Sequence, residues 1–424
     1  MRPLGPIGRL GSWAAGHVRI VVVAWAVVVV GLGALAPRAE RALSGAGWEA
    51  SGSESVAARE RIEAGFGGRS GYALMVVVSG EGGLAQAAAA AKKILEADER
   101  VASVAPAERS PDGRTLVLTG GAGARPTVMV QAADDLKGQL AALSRDGVTV
   151  TLTGAPGMWS DFNEANKTAM LKSELISWPV TLAILVLAFG SLVAAGLPLL
   201  LTILGLTASA GTLFLAAQVF DVSIWSMNFA LMFALALGID YALFIVARFR
   251  GAHFGSQLTA RDAVALTMDT AGKAVVFSGV TVLVSLSAVM LVPSPAFRSM
   301  SLGIMLSVLF VLAAALTLLP ALLAKLGDRV EVLSLPWVHA GEHRSPVFAR
   351  WAELLWRRPW LFGSASVAIL VALALPVIGL ETGMPSIKVV PQDAGSRVGY
   401  EQVQAAFGPG APGTLQIVSP ASPA

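Results

Sequence analysis

The chain has 424 residues, 55% of them apolar and 14% charged, with a formal net charge of +3 and no cysteine. Soluble domains run nearer about 45–50% apolar and about 25% charged, so part of this chain's solvent is lipid. The small net charge sets up no field for nucleic acid, and the lack of cysteine excludes disulfides, thiolate catalysis and cysteine metal sites.

A helix crosses a bilayer with roughly 20 predominantly apolar residues. Segments of that kind lie at 18–36, 175–193, 196–218, 224–247, 274–293, 299–325 and 359–380. The expected architecture is an α-helical polytopic membrane protein with seven transmembrane helices. Residues 1–17 read as an N-terminal tail. The first apolar run exceeds a signal-peptide core and no small-x-small site follows it, so it reads as an uncleaved span.

Residues 37–173 form a mixed α/β domain. Tyr72 to Ser79 reads as a strand, Leu84 to Glu99 as a helix, and Thr115 to Thr119 and Val128 to Val130 as strands. Asp134 to Ser144 reads as a helix, and Val148 to Thr153 as a strand closed by Gly154-Ala155-Pro156. That order is the split βαβ pattern. A helix from Asn163 to Glu174 runs into the second span. There Glu174 reads either as a gate or, more simply, as an interfacial charge beside Trp178.

Residues 174–326 hold the second to sixth spans, with a short amphipathic helix at 258–271 opened by a Thr259 cap and Asp262 three residues on. Residues 327–358 are a charged linker, 359–380 the seventh span, and 381–424 a polar segment. Arg2, Arg9 and Arg19, then Arg248, Arg250, Arg261 and Lys273, then Lys325, Arg329 and Arg350 fall on one side if the spans alternate. The excess of Lys and Arg marks that side as cytoplasmic. The N-terminus is then inside the cell membrane and the α/β domain outside.

The end of the chain repeats its start. Trp13-Ala14 precedes the first span and Trp351-Ala352 the seventh. SGSESVAARERIEAGFGG at 51–68 is echoed by AGSRVGYEQVQAAFGPG at 394–410, and the strand in GYALMVVVSG at 71–80 by PGTLQIVSP at 412–420. Repeats related by an axis along the membrane normal are common in transporters. The second copy stops in its first strand and cannot close a core. The expectation is a cut-off second half, completed in cis or in trans.

The fourth span carries Gly238-Ile239-Asp240-Tyr241. A carboxylate within a bilayer costs about 2.5–3.5 kcal/mol on insertion scales and is uncommon without a function. Asp240 suits a group that takes and gives a proton, with the Tyr241 hydroxyl beside it, and Gly238 permits close helix approach. Helix packing alone, or a place near the headgroups, are the plainer readings. On the fifth span Ser278, Thr281 and Ser285 form one polar stripe, either lining a hydrated path or satisfying a helix contact. The histidines at 17, 253, 339 and 343 are too scattered for ligand spacing. No phosphate-binding loop or nucleophile elbow occurs. No enzyme activity, cofactor or metal is expected.

Five segments together give a resemblance: residues 173–200, LGIDYALFIVARFR (237–250), TAGKAVVFSGVTV (270–282), LVPSPAFRSMSLG (291–303) and LTLLPALLAKLG (316–327). The chain resembles the mycobacterial-membrane-protein-Large (MmpL) branch of the resistance–nodulation–division (RND) transporters. The resemblance implies two halves, each with about six spans and one porter domain, and export of lipids or other hydrophobic compounds driven by protons as coupling ion. It places the family's proton relay on Asp240 and Tyr241, and its fifth-span serine on Ser278. A homo-oligomer is compatible with it. One departure is Gly251-Ala252-His253 after the fourth span, where many relatives carry acids; the charge pairing there is expected to be absent. Two alternatives stay open: a non-transporting scaffold or lipid- or sterol-sensing bundle, since fold does not fix function, or an inactive truncated product.

Overall fold

The computed structural model describes residues 3–43, 50, 52–220, 222–335, 346–380, 383, 386–413 and 415–419. His339 and His343 lie outside them. Among the described residues seven helices are long and apolar enough to cross a membrane: Val18–Ala39, Gly154–Phe189, Leu192–Ala217, Trp225–Gly255, Ala260–Val289, Pro295–Glu331 and Pro359–Gly379.

The chain opens with α1 (Pro6–Gly16), started by a proline in its first turn. Its inner face is Gly8, Gly11, Ala14 and Ala15, all buried. Such small residues let a helix lie close against its neighbours. The Gly5 amide donates to Asp269 Oδ1 at 2.8 Å, and Asp269 also pairs with Lys273 at 2.9 Å. The N-terminal tail is thus helical and docked. Its small-residue spacing is the signal that a search for apolar runs passes over. Next come α2 (Val18–Gly33), α3 (Ala36–Ala42) and α4 (Glu54–Gly65), the last capped by Ser53.

The α/β domain follows: β1 (Leu74–Ser79), α5 (Leu84–Glu96), β2 (Val101–Val104), β3 (Glu108–Arg109), β4 (Thr115–Ala122), α6 (Pro126–Ala141) and β5 (Thr149–Thr153). The sheet order is β2-β4-β1-β5, with every pairing antiparallel and β3 on β4. Val76 stands opposite Leu118 on one side and Leu152 on the other. β4 thus lies between β1 and β2, the two strands that α5 joins. Leu74, Val76 and Val78 pack with Leu95, Leu118, Met129 and Leu136.

Two expectations are corrected here. Val128 to Val130 is not a strand but the first turns of α6, because Pro126 starts a helix and Met129, Ala132, Ala133, Leu136 and Leu140 follow at helical spacing. The missing strand is β2, only four residues long and without alternation. Ion pairs tie the layers: Arg100 grips Asp98 at 2.7 Å and Asp135 at 2.8 Å, and its guanidinium holds the Asp98 carboxyl below the usual range.

Gly154-Ala155-Pro156 opens a helix rather than closing a strand. That helix, α7 (Gly154–Phe189), runs unbroken out of the sheet domain. Proline is tolerated in a first turn. Lys137 joins α6 to α7 through Asp161 at 3.4 Å and Glu164 at 2.6 Å.

The bundle centre is α8 (Leu192–Ala217), α9 (Trp225–Arg250) and, after α10 (Ala260–Thr267) and α11 (Lys273–Val289), α12 (Pro295–Leu326). α2 lies on α8 and α12, and Trp25 Nε1 donates to Thr317 Oγ1 at 3.0 Å. Thr259 caps α10, accepting from the Asp262 amide at 3.2 Å. α11 buries only Val275 and Gly279, against α12. α13 (Pro346–Arg357) precedes α14 (Pro359–Ala374), which buries none of its residues. α15 (Gly395–Phe407) then returns to the sheet. Residues 415–419 carry no regular secondary structure and pair with no strand among the described residues, contrary to the expectation of a strand in 412–420. A strand cannot form a ladder without a neighbour.

Candidate functional site

Asp240 and Tyr241 are consecutive on α9, so they point about 100° apart around the helix axis. Tyr241 turns inward and is 3% exposed. It shares its face with Ala234, Gly238, Ala242, Ile245 and Phe249. Asp240 turns outward with Met232, Ala236 and Phe244, all exposed at a spacing of four. It stands eight residues before Arg248, about 12 Å along the axis. The carboxylate therefore lies on the outer surface of the bundle, within the length of a membrane-spanning helix.

Gly238 sets how closely α9 approaches its neighbours. A Cβ there would collide with Thr202 Oγ1 of α8 and come within 3.4 Å of Val311 on α12. The Thr202 hydroxyl is itself satisfied, donating to Pro198 O at 2.9 Å. Thr202 is a close-packing partner that the α9 pattern alone could not identify.

The Tyr241 hydroxyl is buried and makes no hydrogen bond of normal geometry among the described residues. Its polar neighbours are Ser278 on α11 and Asp240. The structure thus brings Asp240, Tyr241 and Ser278 together. Thr281 and Ser285 are exposed further along α11. Thr281 donates to Phe277 O at 2.8 Å, which satisfies it within its own helix. Glu174, on α7, is half-buried, and its Oε1 is enclosed without a hydrogen-bond partner among the described residues.

The Tyr241 hydroxyl meets Ser278 of α11, so Tyr241→Phe gives up at most this one contact between helices. A neutral hydrogen bond is worth about 1 kcal/mol net. The variant is expected to melt within a few degrees of wild type in detergent. A fall of several degrees would show that the hydroxyl is structurally engaged.

At the far end of α9 charges close the bundle. Arg250 pairs with Glu331 at 2.6 Å and donates to Phe189 O, near the last turn of α7, also at 2.6 Å. The Ser191 hydroxyl donates to Val330 O at 2.7 Å. His253 faces Asp328 through Nε2 at 2.9 Å and Leu258 O through Nδ1 at 2.7 Å. This corrects the expected lack of pairing after the fourth span. The acids are supplied by residues 328 and 331, just beyond α12, so sequence adjacency conceals them.

A family model described as the MMPL family matches residues 47–362. The chain belongs to the MMPL family. It is 34% identical over 310 residues to a putative membrane protein of Streptomyces coelicolor, covering 72% of this chain and 43% of that protein. It is 29% identical over 427 residues to a mycolic acid-containing lipids exporter of Mycolicibacterium smegmatis, covering 97% and 45%. It is also 29% identical over 423 residues to a heme uptake protein of Mycobacterium tuberculosis, covering 94% and 43%. The chain thus spans under half the length of these relatives. Membership in this branch of the RND transporters agrees with the resemblance read from the five segments.

Proposed function

We propose that this MMPL chain supplies one half of a proton-motive-force-driven exporter of lipids or other hydrophobic compounds in the cell membrane. The observation that carries the reading is Asp240, an ionisable side chain on the outer face of a membrane-spanning helix beside Tyr241 and Ser278. A carboxylate cannot rest against acyl chains without a cost of about 2.5–3.5 kcal/mol on insertion scales, more by simulation. That face is therefore covered by protein or water in the working transporter, with a second bundle supplied in cis or in trans as cover. Asp240 loads and unloads the proton there, and Tyr241 and Ser278 order its neighbourhood. The cytoplasmic side is the one bearing Arg250 and Lys273, which puts the sheet domain outside. The exporter name of the Mycolicibacterium relative supports a lipidic substrate. The heme uptake name of a relative of equal identity keeps the class at hydrophobic compounds rather than one lipid.

The test uses the protein purified from its native membrane and reconstituted into liposomes with a fluorescent phospholipid and an imposed pH gradient. The probe is expected to move only while the gradient lasts, and a protonophore should stop it. Movement indifferent to the protonophore, or no movement, overturns the proposal and favours a scaffold.

A further inference from the structure

α13 is a short helix with two unlike sides. Arg350, Glu353 and Arg357 follow one another at spacings of three and four and share one side. Trp351, Leu354 and Leu355 lie on the other. Glu353 and Arg357 pair at 2.6 Å within the polar side. Trp351 is 56% exposed and Leu354 47%. The helix has to stop at Arg358, because a residue before proline is disfavoured in the helical region. Arg358 is accordingly non-helical, and Pro359 opens α14, the seventh span, directly after it. One residue therefore separates α13 from a membrane-spanning helix. Trp360, in the first turn of that span, is a residue type that settles at headgroup level. The hinge places the end of α13 at the membrane surface.

The internal repeat shows which side of such a helix a bundle takes. Trp13-Ala14 of α1 and Trp351-Ala352 of α13 align at a single offset. α1 is docked through Gly11, Ala14 and Ala15, whose equivalents are Ala349, Ala352 and Glu353. Ser12, Trp13 and Gly16 of α1 stay exposed, and their equivalents are Arg350, Trp351 and Leu354. On the docked helix, then, the Trp side is the one that packing against protein leaves open. α13 has enlarged and charged that side: Ser becomes Arg and Gly becomes Leu. Over residues 346–358 three arginines stand against one glutamate, leaving two net positive charges.

We propose that α13 is an interfacial helix seated in anionic phospholipid of the cytoplasmic leaflet. Trp351 and Leu354 enter the boundary between headgroups and acyl chains. Arg350 and Arg357 border that face and reach the phosphates, their stems lying along the apolar surface. A basic segment beside a span is drawn to an anionic leaflet. The choice of leaflet rests on the proposed orientation, with Arg250 and Lys273 inside. The seat in lipid rests on α13 itself. It would hold the entry to the seventh span at a fixed depth.

The chain contains no cysteine, so a single engineered thiol can be labelled without background. Leu354→Cys, carrying the polarity-sensitive fluorophore NBD, is placed in the full chain. The protein is then reconstituted into vesicles of phosphatidylcholine and phosphatidylglycerol. Blue-shifted emission is expected at 354, and emission typical of water from the same label on Glu353→Cys. Nitroxide-tailed phosphatidylglycerol is expected to quench the 354 label about twice as strongly as the same fraction of nitroxide-tailed phosphatidylcholine, because the arginines enrich the anionic lipid around the helix. Adding Arg350→Gln and Arg357→Gln is expected to remove that excess and leave the blue shift. Leu355→Cys, on the same apolar side, gives the same readings where the 354 variant folds poorly. Water-like emission at both apolar positions overturns the proposal. Blue-shifted emission that neither nitroxide lipid quenches overturns it in favour of a protein partner. Equal quenching by the two lipids overturns the anionic preference. No pH gradient is involved, so these outcomes are separate from those of the transport test.

Discussion

Asp240→Asn is expected to abolish pH-gradient-driven transport in proteoliposomes while leaving the protein's abundance and melting temperature unchanged. Asn has the shape of the carboxylate it replaces and cannot carry a proton at any relevant pH. Asp240 is exposed on the bundle, with no ion pair to lose among the described residues. The fold therefore has little stake in its charge. Insertion becomes cheaper by much of the roughly 2.5–3.5 kcal/mol that a charge costs at depth. A packing role predicts the reverse pattern, with melting lowered and residual coupling retained. Asp240→Glu keeps a titratable group but moves it by one methylene, so it is expected to retain partial activity. Full gradient-driven movement in the Asn variant would sink the proton role.

The spans were legible because lipid demands long apolar runs and little else imitates them. The sheet domain was legible in its order because β1 reads as an unbroken apolar run, Leu-Met-Val-Val-Val. Such a run marks a strand buried on both faces. What covers the second face was not legible, because α15, hundreds of residues away in the chain, provides it. Val128 to Val130 misled because three β-branched or long apolar residues read alike in either conformation. The decision lay with Pro126 before them and the spaced alanines and leucines after. β2 was too short to carry a pattern. At the site, adjacency placed Asp240 and Tyr241 together, and the resemblance pointed to Ser278. Adjacency on a helix also separates two side chains by about 100°. So Tyr241 is in the core and Asp240 is out, which no reading of the pair as a unit reveals. Thr202 and Glu331 were hidden because their contacts with α9 come from other helices or from the chain beyond them.

The Arg250 closure is expected to be the most costly single break in the bundle. Arg250 and Glu331 side chains are 13% and 16% exposed, so each is largely out of water. Arg250 also holds Phe189 O at the end of α7, a carbonyl with no partner within its helix. Arg250→Ala leaves both the carboxylate and the carbonyl enclosed and unpaired. Removing one member of a buried pair typically costs about 3–5 kcal/mol. For this variant, detergent melting should fall by several degrees or the yield should collapse. Arg250→Lys should recover only part, since an ammonium lacks the planar fork that serves the two acceptors at once. The decisive comparison is Arg250→Ala with Glu331→Ala. If the cost comes from a stranded charge, the double variant melts above Arg250→Ala alone, because the unpaired carboxylate is gone. If the cost comes from the lost tether between α7, α9 and the end of α12, the double variant melts no higher. Wild-type melting in Arg250→Ala itself would show that neither applies and that the contact is a surface pair of negligible weight.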